Sequence, residues 1–209
     1  IKPNSFVGII GKTGSGKTTL INLIAGLLEA NKGQILVNKE NIKKNLSQWY
    51  SNTGYISQST FLLDETIKNN IALGVKNDGI NISNLENALK LSGISEFVKN
   101  LPNTVNTYVG NQGVRLSGGQ IQRIGIARAL YDNSKVIFFD EATSSLDGKT
   151  EEKLIEDICK LKHEKTLIMI SHKLSSLRNC DKVYYLKDNE IKDEGKIIEL
   201  IERNPELKI

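Results

Sequence analysis

A strand, a glycine-rich loop and a helix near the start of the chain restrict its fold more than any other feature. Phe6–Ile10 is an apolar run, and Gly11 to Thr18 follow the pattern G-x-x-x-x-G-K-[ST]. After Lys17 the apolar residues recur at helical spacing as far as Leu28, with Gly33 as the expected stop. Such a loop turns its backbone N–H groups inward as an anion-binding nest at a helix N-terminus. The sequence therefore predicts a phosphate site between a buried parallel strand and a helix.

Strand and helix patterns alternate along the rest of the chain and predict an α/β fold. Strands are expected at residues 34–38, 53–57, 135–139 and 167–170, and a helix near residues 150–161. Asp188-Asn189 predicts a hairpin turn between two further short strands. The expected architecture is a phosphate-loop NTPase core with a mostly parallel sheet flanked by helices, and an antiparallel β part. Residues 60–129 show mainly helical spacing, which predicts a helical subdomain inserted into a core of residues 1–59 and 130–209.

Composition excludes several classes of protein. The net charge is +4 and the lysines are interspersed with acids, which favours a solvated surface over a nucleic-acid site. Two histidines and two cysteines without C-x-x-C spacing argue against a histidine-rich metal site and for reduced thiols. No apolar run approaches the ~20 residues that cross a bilayer. Because the chain opens on Ile1, we expect it to be part of a longer protein.

Two adjacent carboxylates follow an apolar run and predict catalytic chemistry. Asp140 ends the run, where it can orient Mg²⁺, and Glu141 comes one step later, where it can act as a general base on water. Paired acids at a strand end also often cap the next helix, but the phosphate loop upstream favours the catalytic interpretation. Lys17 supplies charge for the β- and γ-phosphates, and Thr18 a hydroxyl ligand for Mg²⁺. The predicted nucleotide-binding residues of the loop are Gly11, Thr13, Gly14, Ser15, Gly16, Lys17, Thr18 and Thr19.

The segment Leu116-Ser117-Gly118-Gly119-Gln120 lies between the phosphate loop and the two acids. Ser117 and the N–H groups of the two glycines open a helix and predict a second phosphate receptor. By itself, Ser-Gly-Gly before a helix is equally typical of an ordinary helix cap. Since the chain already has one phosphate nest, the natural use of the second is on the nucleotide of a twin chain.

Together these residues resemble the ATP-binding cassette family over essentially all 209 positions. The resemblance implies an ATP-hydrolysing domain that binds ATP and Mg²⁺. It also implies that Gln58 reaches Mg²⁺ and the attacking water, that residues 144–147 form the loop between two subunits, and that His172 contacts the γ-phosphate. The catalytic residues so implied are Lys17, Gln58, Glu141 and His172. The implied Mg²⁺ ligands are Thr18, Gln58 and Asp140. The implied contacts to the partner's nucleotide are Ser117, Gly118, Gly119, Gln120 and Asp147.

Two segments resemble the exporters of that family. The segment from Phe61 to Ile71 resembles the site that receives the coupling helix of a membrane domain. Residues 107–113 resemble a loop just before the family's signature segment, which is residues 116–120 in this chain. Exporters usually carry an acid and a base where this chain has Asn111 and Gln112. Residues 114–131 are similar to flippases for lipid-linked sugars or polysaccharides. The resemblance implies a head-to-tail pair, expected to be a homodimer, that contacts a membrane domain at the cytoplasmic face of the membrane through Gln58 and the segment from Phe61.

Other members of the same family are alternatives. Chromosome- and repair-associated ATPases carry a long coiled coil between the loop and the signature, and this chain has no sustained heptads there. A free-standing importer or translation-factor cassette stays open, although the exporter-like segments argue against it. A cassette that binds ATP without hydrolysing it would have lost some of Lys17, Asp140, Glu141 and His172, which are all present. The family's adenine-stacking aromatic lies before the loop on a strand absent here, so we expect weaker ATP binding than in a longer parent.

Overall fold

The computed structural model describes residues 1–110, 114–144 and 146–207. The strands are β1 (Phe6–Ile10), β2 (Leu36–Val37), β3 (Glu40–Asn41), β4 (Thr53–Ile56), β5 (Glu65–Thr66), β6 (Tyr108–Val109), β7 (Val136–Asp140), β8 (Thr166–Ile170), β9 (Lys182–Lys187) and β10 (Glu190–Gly195). The helices are α1 (Lys17–Ile24), α2 (Leu46–Ser51), α3 (Ile67–Ile71), α4 (Ile82–Leu91), α5 (Ser95–Lys99), α6 (Gly118–Tyr131), α7 (Gly148–Lys160) and α8 (Ile197–Arg203).

A six-stranded sheet in the order β10-β9-β1-β8-β7-β4 forms the centre of the fold. Its first pair, β9 and β10, is antiparallel, and its other neighbouring strands run parallel. Two small antiparallel pairs, β2–β3 and β5–β6, lie outside it. The predicted α/β class with a mostly parallel sheet and an antiparallel part is confirmed.

The central strands are apolar because both faces of the sheet are covered. Phe6 and Ile10 of β1 belong to the larger core, whereas Ile9 packs with Ile21 of α1 on the opposite face. This alternation follows from the period of two residues along a strand. Burial on both faces explains why β1, β7 and β8 read as continuous apolar runs, as parallel strands do.

Helix α1 is shorter than the sequence pattern predicts. It ends at Ile24, although apolar spacing continues to Leu27 and Leu28, whose side chains are 55% and 46% exposed. Gly26 takes a φ of 79°, and the N–H of Leu27 bonds to the carbonyl of Asn22. Left-handed glycine is a common helix terminator. The expected stop at Gly33 was therefore wrong, and Gly26 ends the helix.

The chain between β4 and β7 is mainly helical. Helices α3 to α6 occupy it, with α6 packed against α3, α4 and β4. The boundaries proposed for a helical subdomain, 60 and 129, stay a prediction, since α6 touches both the helices and the sheet. Among the described residues no helix combines the length and apolar character needed to span a bilayer.

The predicted hairpin turn joins β9 to β10. Asp188 and Asn189 take φ values of 52° and 61°, which is the pair of positive angles that a type I′ turn requires. The turn lies beside the glycine loop, because a Cβ on Gly16 would come within 2.9 Å of Asn189 Oδ1. The hairpin thereby forms one wall next to the predicted phosphate site.

Candidate nucleotide-binding and catalytic site

The glycine loop connects β1 to α1 at the carboxyl edge of the parallel sheet. A Cβ on Gly11 would lie 2.2 Å from the carbonyl oxygen of Leu186, so only glycine allows that close approach. Gly14 and Gly16 take φ values of 82° and 93°. A cavity of about 400 Å³ lies between the loop and the β9–β10 turn. The loop has the backbone conformation and the open space that an anion-binding nest needs.

Lys17 lies at the base of this loop and is 5% exposed. Its Nζ donates hydrogen bonds of 3.0 Å to the carbonyls of Gly11 and Lys12. Burial lowers the pKa of Lys17, while the nearby carboxylates of Glu141 and Asp140 oppose that shift. The structure thus brings the predicted phosphate-binding ammonium and the predicted catalytic acids into one electrostatic cluster.

Asp140 ends β7 beside the start of α1. Its Oδ1 lies 3.4 Å from the Thr18 hydroxyl, and its Oδ2 accepts a 2.9 Å hydrogen bond from Tyr55. The Tyr55 hydroxyl also lies 2.9 Å from Asn22 Oδ1. Burial, followed by the contact with Asp140, raises the pKa of Tyr55. Two of the three predicted Mg²⁺ ligands, Thr18 and Asp140, are therefore adjacent, and Tyr55 fixes the carboxylate of one of them.

The donor set fits Mg²⁺ better than a softer metal. Within the described ranges no group of three acidic, histidine or cysteine side chains could enclose an ion. Mg²⁺ commonly binds through one or two carboxylates together with substrate phosphates and waters. One carboxylate beside a hydroxyl, next to a phosphate nest, matches that pattern.

Glu141 and His172 are in direct contact. Their side chains approach to 2.6 Å between Glu141 Oε1 and His172 Nε2. Glu141 has a φ of 51°, and its N–H bonds to the carbonyl of Ile170 at the end of β8. His172 comes two residues after that strand, so the neighbouring strands β7 and β8 deliver both side chains to the same edge. A carboxylate held by an imidazole can accept a proton from water.

Gln58 follows β4, the edge strand next to β7. Its side chain is exposed, and its carbonyl accepts a 3.0 Å hydrogen bond from Gln122 on α6. Gln122 also bonds to the Thr60 hydroxyl at 2.8 Å. This part of the chain is thereby held against α6. Among the described residues the Gln58 side chain makes no hydrogen bond to Asp140.

The signature segment begins α6. Ser117 caps the helix by accepting from the Gln120 N–H, and the Gln120 side chain accepts from the Ser117 N–H in return. Ser117 and Gly118 are exposed, and a Cβ on Gly119 would lie 2.7 Å from a Thr150 methyl on α7. The helix cap weighed from the sequence is present, and its N-terminal surface is open to a second molecule.

Asp147 caps α7 and is exposed. Its Oδ1 accepts a 3.1 Å hydrogen bond from the Thr150 N–H, and bonds to Thr150 lower the pKa of its carboxyl. Of the predicted intersubunit loop, Ser145 falls outside the described residues, as do Asn111 and Gln112 of the exporter-like loop.

The exporter-like segment from Phe61 to Ile71 is held by a cluster of hydrogen bonds and lies beneath exposed apolar side chains. The buried Asn70 side chain bonds to both backbone groups of Leu63, and Arg128 of α6 donates to the carbonyls of Asn70 and Phe61. Phe61 is 73% exposed, and Leu63, Leu73 and Tyr108 are also exposed. The segment is rigidly tied to α6 and presents large apolar side chains to its surroundings.

Three residues near the site were missed by sequence reasoning. Tyr55 contacts Asp140, and a further pair, Glu151 and Lys173, lies behind Glu141 and His172. The strand pattern was a usable signal for Tyr55, because it lies three residues before Gln58 on a strand expected to reach the same edge. Glu151 carried no signal, because a glutamate in an amphipathic helix usually faces solvent.

Comparison with known proteins agrees with this geometry. The family model described as "ABC transporter" matches residues 1–144. The chain is 39% identical over 204 residues to an ATP-dependent lipid A-core flippase of Francisella novicida, covering 97% of this chain and 34% of that protein. It is 38% identical over 205 residues to the leukotoxin translocation ATP-binding protein LktB of Mannheimia glucosida, covering 98% of this chain and 29% of the relative.

Plant and structural relatives are similar over the same length. ABC transporter B family member 13 of Arabidopsis thaliana is 38% identical over 204 residues, which cover 97% of this chain and 16% of the plant protein. The solved structure of a bacterial Atm1-family ABC exporter with ATP bound superposes with a TM-score of 0.88 and 31% identity, covering 100% of this chain and 37% of the exporter chain. The chain thus spans about a third or less of the length of these relatives.

Proposed function

This chain belongs to the ABC transporter family, and from that premise we propose that it is the ATP-hydrolysing motor of a membrane exporter. Two copies pair head-to-tail around two ATP molecules, and closing and opening of the pair drives transport. The observation that carries the proposal is the contact of Asp140 with Thr18 and of Glu141 with His172 at the sheet edge where Lys17 bonds to the glycine loop.

The loop residues bind the phosphates of ATP. Residues 12–15 of the loop line the cavity beside the β9–β10 turn, and the loop leads into the N-terminus of α1. The Lys17 ammonium, now bonded to two loop carbonyls, exchanges one of them for a phosphate oxygen. Thr13 and Thr19 contribute from the exposed rim of the loop and the first turn of α1.

Thr18, Asp140 and Gln58 hold Mg²⁺. Thr18 and Asp140 are adjacent, and Tyr55 orients the carboxylate. Mg²⁺ held there would neutralise charge on the phosphates of ATP. Gln58 completes this set from the neighbouring strand end, and its exposed side chain is free to turn toward the site.

Glu141 is the general base, and His172 orients its carboxylate. Glu141 accepts the proton of the attacking water, and the imidazole 2.6 Å away keeps the carboxylate aimed at the site. The same histidine contacts the γ-phosphate in the closed pair. Lys17 stabilises the charge that develops on the phosphates.

The second copy completes the site. The exposed N-terminus of α6 binds the partner's nucleotide through Ser117, Gly118, Gly119 and Gln120. The exposed Asp147 contributes to the same contact. The capping box preorganises this surface, because Ser117 and Gln120 fix each other.

The apolar surface around Phe61 receives a membrane domain at the cytoplasmic face. Large exposed apolar side chains beside a cluster of hydrogen bonds form a surface on which a helix can dock. A lipid or lipid-linked sugar is the cargo class we favour, since residues 114–131 are similar to flippases and one relative is a lipid A-core flippase.

The test of this function is the Glu141→Gln variant in the full-length protein. We expect the ATP hydrolysis rate to fall about 10²–10⁴-fold, because the general base is lost. ATP binding, measured by calorimetry, remains, and the ATP-bound pair accumulates in size-exclusion chromatography.

Glu152→Gln is the matched control, since Glu152 is exposed on α7. It leaves the rate unchanged. A Glu141→Gln protein that hydrolyses ATP like the wild type contradicts the assignment of the base, and one that stays monomeric with excess Mg-ATP contradicts the composite site.

A further inference from the structure

A buried carboxylate lies directly behind the contact between Glu141 and His172. Glu151, on α7, is 5% exposed. Its Oε1 accepts hydrogen bonds from the Thr143 hydroxyl at 2.7 Å and the Ser176 hydroxyl at 2.8 Å, and its Oε2 accepts from Lys173 Nζ at 2.7 Å. A buried carboxylate with three donors is held in one position.

The three donors come from the two loops that carry Glu141 and His172. Thr143 lies two residues after Glu141, and Lys173 immediately follows His172. Glu151 therefore joins both loops. Displacing either loop breaks at least one bond to a buried charge, which is costly.

The same lysine reaches toward the predicted intersubunit loop. Lys173 Nζ lies 3.4 Å from the carbonyl oxygens of both Thr143 and Leu146, and Leu146 precedes Asp147. The Glu151 N–H bonds to the Asp147 carbonyl one turn earlier in the helix. A movement of the His172 loop is thus transmitted through Lys173 to the start of α7.

We propose that Glu151 and Lys173 are positioning residues that set the distance between Glu141 and His172 and couple it to Asp147. The inference rests on the proposed function. Neither residue touches the nucleotide; both act through the groups that do. Breaking this ion pair is therefore expected to lower the rate of hydrolysis more than the affinity for ATP.

The hydrogen-bond donors around Glu151 favour its ionised form. Burial acts to raise the pKa of Glu151, but the hydrogen bonds from Lys173, Thr143 and Ser176 outweigh it and the pKa is lowered. This differs from the exposed pair of Lys182 and Glu194, where both side chains are about half exposed and only β9 and β10 are joined.

The experiment compares Lys173→Met, Lys173→Arg and Glu151→Gln with Lys182→Met in the full-length protein. We measure kcat and KM for Mg-ATP, the Kd for ATP in a Glu141→Gln background, and the melting temperature. Lys173→Met and Glu151→Gln are expected to lower kcat about 10–100-fold, the usual range for residues that orient a reacting group. The Kd changes less than about twofold, because the loop that binds phosphate is untouched.

Lys173→Arg restores most of kcat, since it keeps the charge, and Lys182→Met behaves as wild type. The double variant Lys173→Met with Glu151→Gln loses little more than either single one, because both remove the same interaction.

Three outcomes overturn the inference. The first is an unchanged kcat in both Lys173→Met and Glu151→Gln. The second is a loss of kcat and ATP affinity in parallel with melting temperature across the variants, which indicates a purely structural pair. The third is that hydrolysis by the wild-type protein does not depend on Glu141. This outcome overturns the proposed function and the inference with it.

Discussion

At the residue scale, the placement of Glu141 depends on an uncommon backbone conformation. A φ of 51° is rare for a residue other than glycine, asparagine or aspartate and costs about 1–3 kcal/mol. The hydrogen bond from its N–H to Ile170 and the contact with His172 offset this cost. The strain occurs where the chain leaves β7 and the Glu141 carboxylate meets His172.

Asp140 gives a prediction at the same scale. Tyr55→Phe removes the hydroxyl that bonds to Asp140 Oδ2, an interaction with a charged group worth about 1.5–3 kcal/mol. We expect the Mg²⁺ concentration for half-maximal ATP hydrolysis to rise severalfold, because the carboxylate is less well oriented. A Mg²⁺ titration of the hydrolysis rate measures this.

Tyr50→Phe is the matched control. The Tyr50 hydroxyl bonds to the carbonyl of Gly26, away from Asp140. It leaves the Mg²⁺ dependence as in the wild type, and an equal shift in both variants rules out a specific role for Tyr55.

At the element scale, one carboxylate on β10 bonds to the end of α8. Asp193 on β10 accepts two 2.9 Å hydrogen bonds from Arg203 and one of 2.8 Å from Asn204, at the end of α8. These bonds lower the pKa of Asp193 from 3.8 to about 2. Because the bonds need the ionised carboxylate, the attachment of α8 weakens at low pH.

A pH prediction follows from the direction of that shift. A depressed folded-state pKa contributes stability above the unfolded value of 3.8, which is lost as the pH falls through about 2. Asp193→Asn is therefore expected to lower the melting temperature at pH 7 by roughly 1–3 °C. The difference from wild type shrinks between pH 4 and pH 2, as followed by circular dichroism.

Asp78→Asn is the control, since Asp78 is exposed in the short turn Asn77–Gly79. It leaves the melting temperature unchanged at pH 7. A difference between Asp193→Asn and wild type that stays constant down to pH 2 contradicts the role of the ionised carboxylate.

At the scale of the whole molecule, the proposed pair can be tested by complementation. Lys17→Met disables the phosphate loop, and Ser117→Asp places a negative charge at the signature. Aspartate caps helices as well as serine does, so α6 keeps its start. Each variant alone is expected to be inactive.

A purified heterodimer of the two variants has one site with both defects and one intact site. We expect about half of the wild-type hydrolysis rate per dimer. The reverse arrangement, with both substitutions in one chain and a wild-type partner, leaves one defect in each site and is inactive. If each chain hydrolyses ATP by itself, the two results are exchanged.

Local patterns of the sequence determined the phosphate loop, the central strands and the β9–β10 turn. Apolar runs predicted buried parallel strands, and Asp188-Asn189 predicted a turn with two positive φ angles, both of which the structure has. The fold class and family are confirmed as well. The structure gathers Lys17, Asp140, Glu141 and His172 at one sheet edge, while their roles stay predictions.

Which distant groups meet depends on strand order and packing across the core. Helix α1 ends at Ile24, just before Gly26, where α2 packs and the Tyr50 hydroxyl donates to the Gly26 carbonyl. Tyr55 reaches Asp140 because β4 pairs with β7. Glu151 joins the Glu141 and His172 loops because α7 brings it against Thr143 and Lys173. Residue spacing specifies the period and burial of each element, whereas strand order and packing across the core bring together side chains that lie far apart in the sequence.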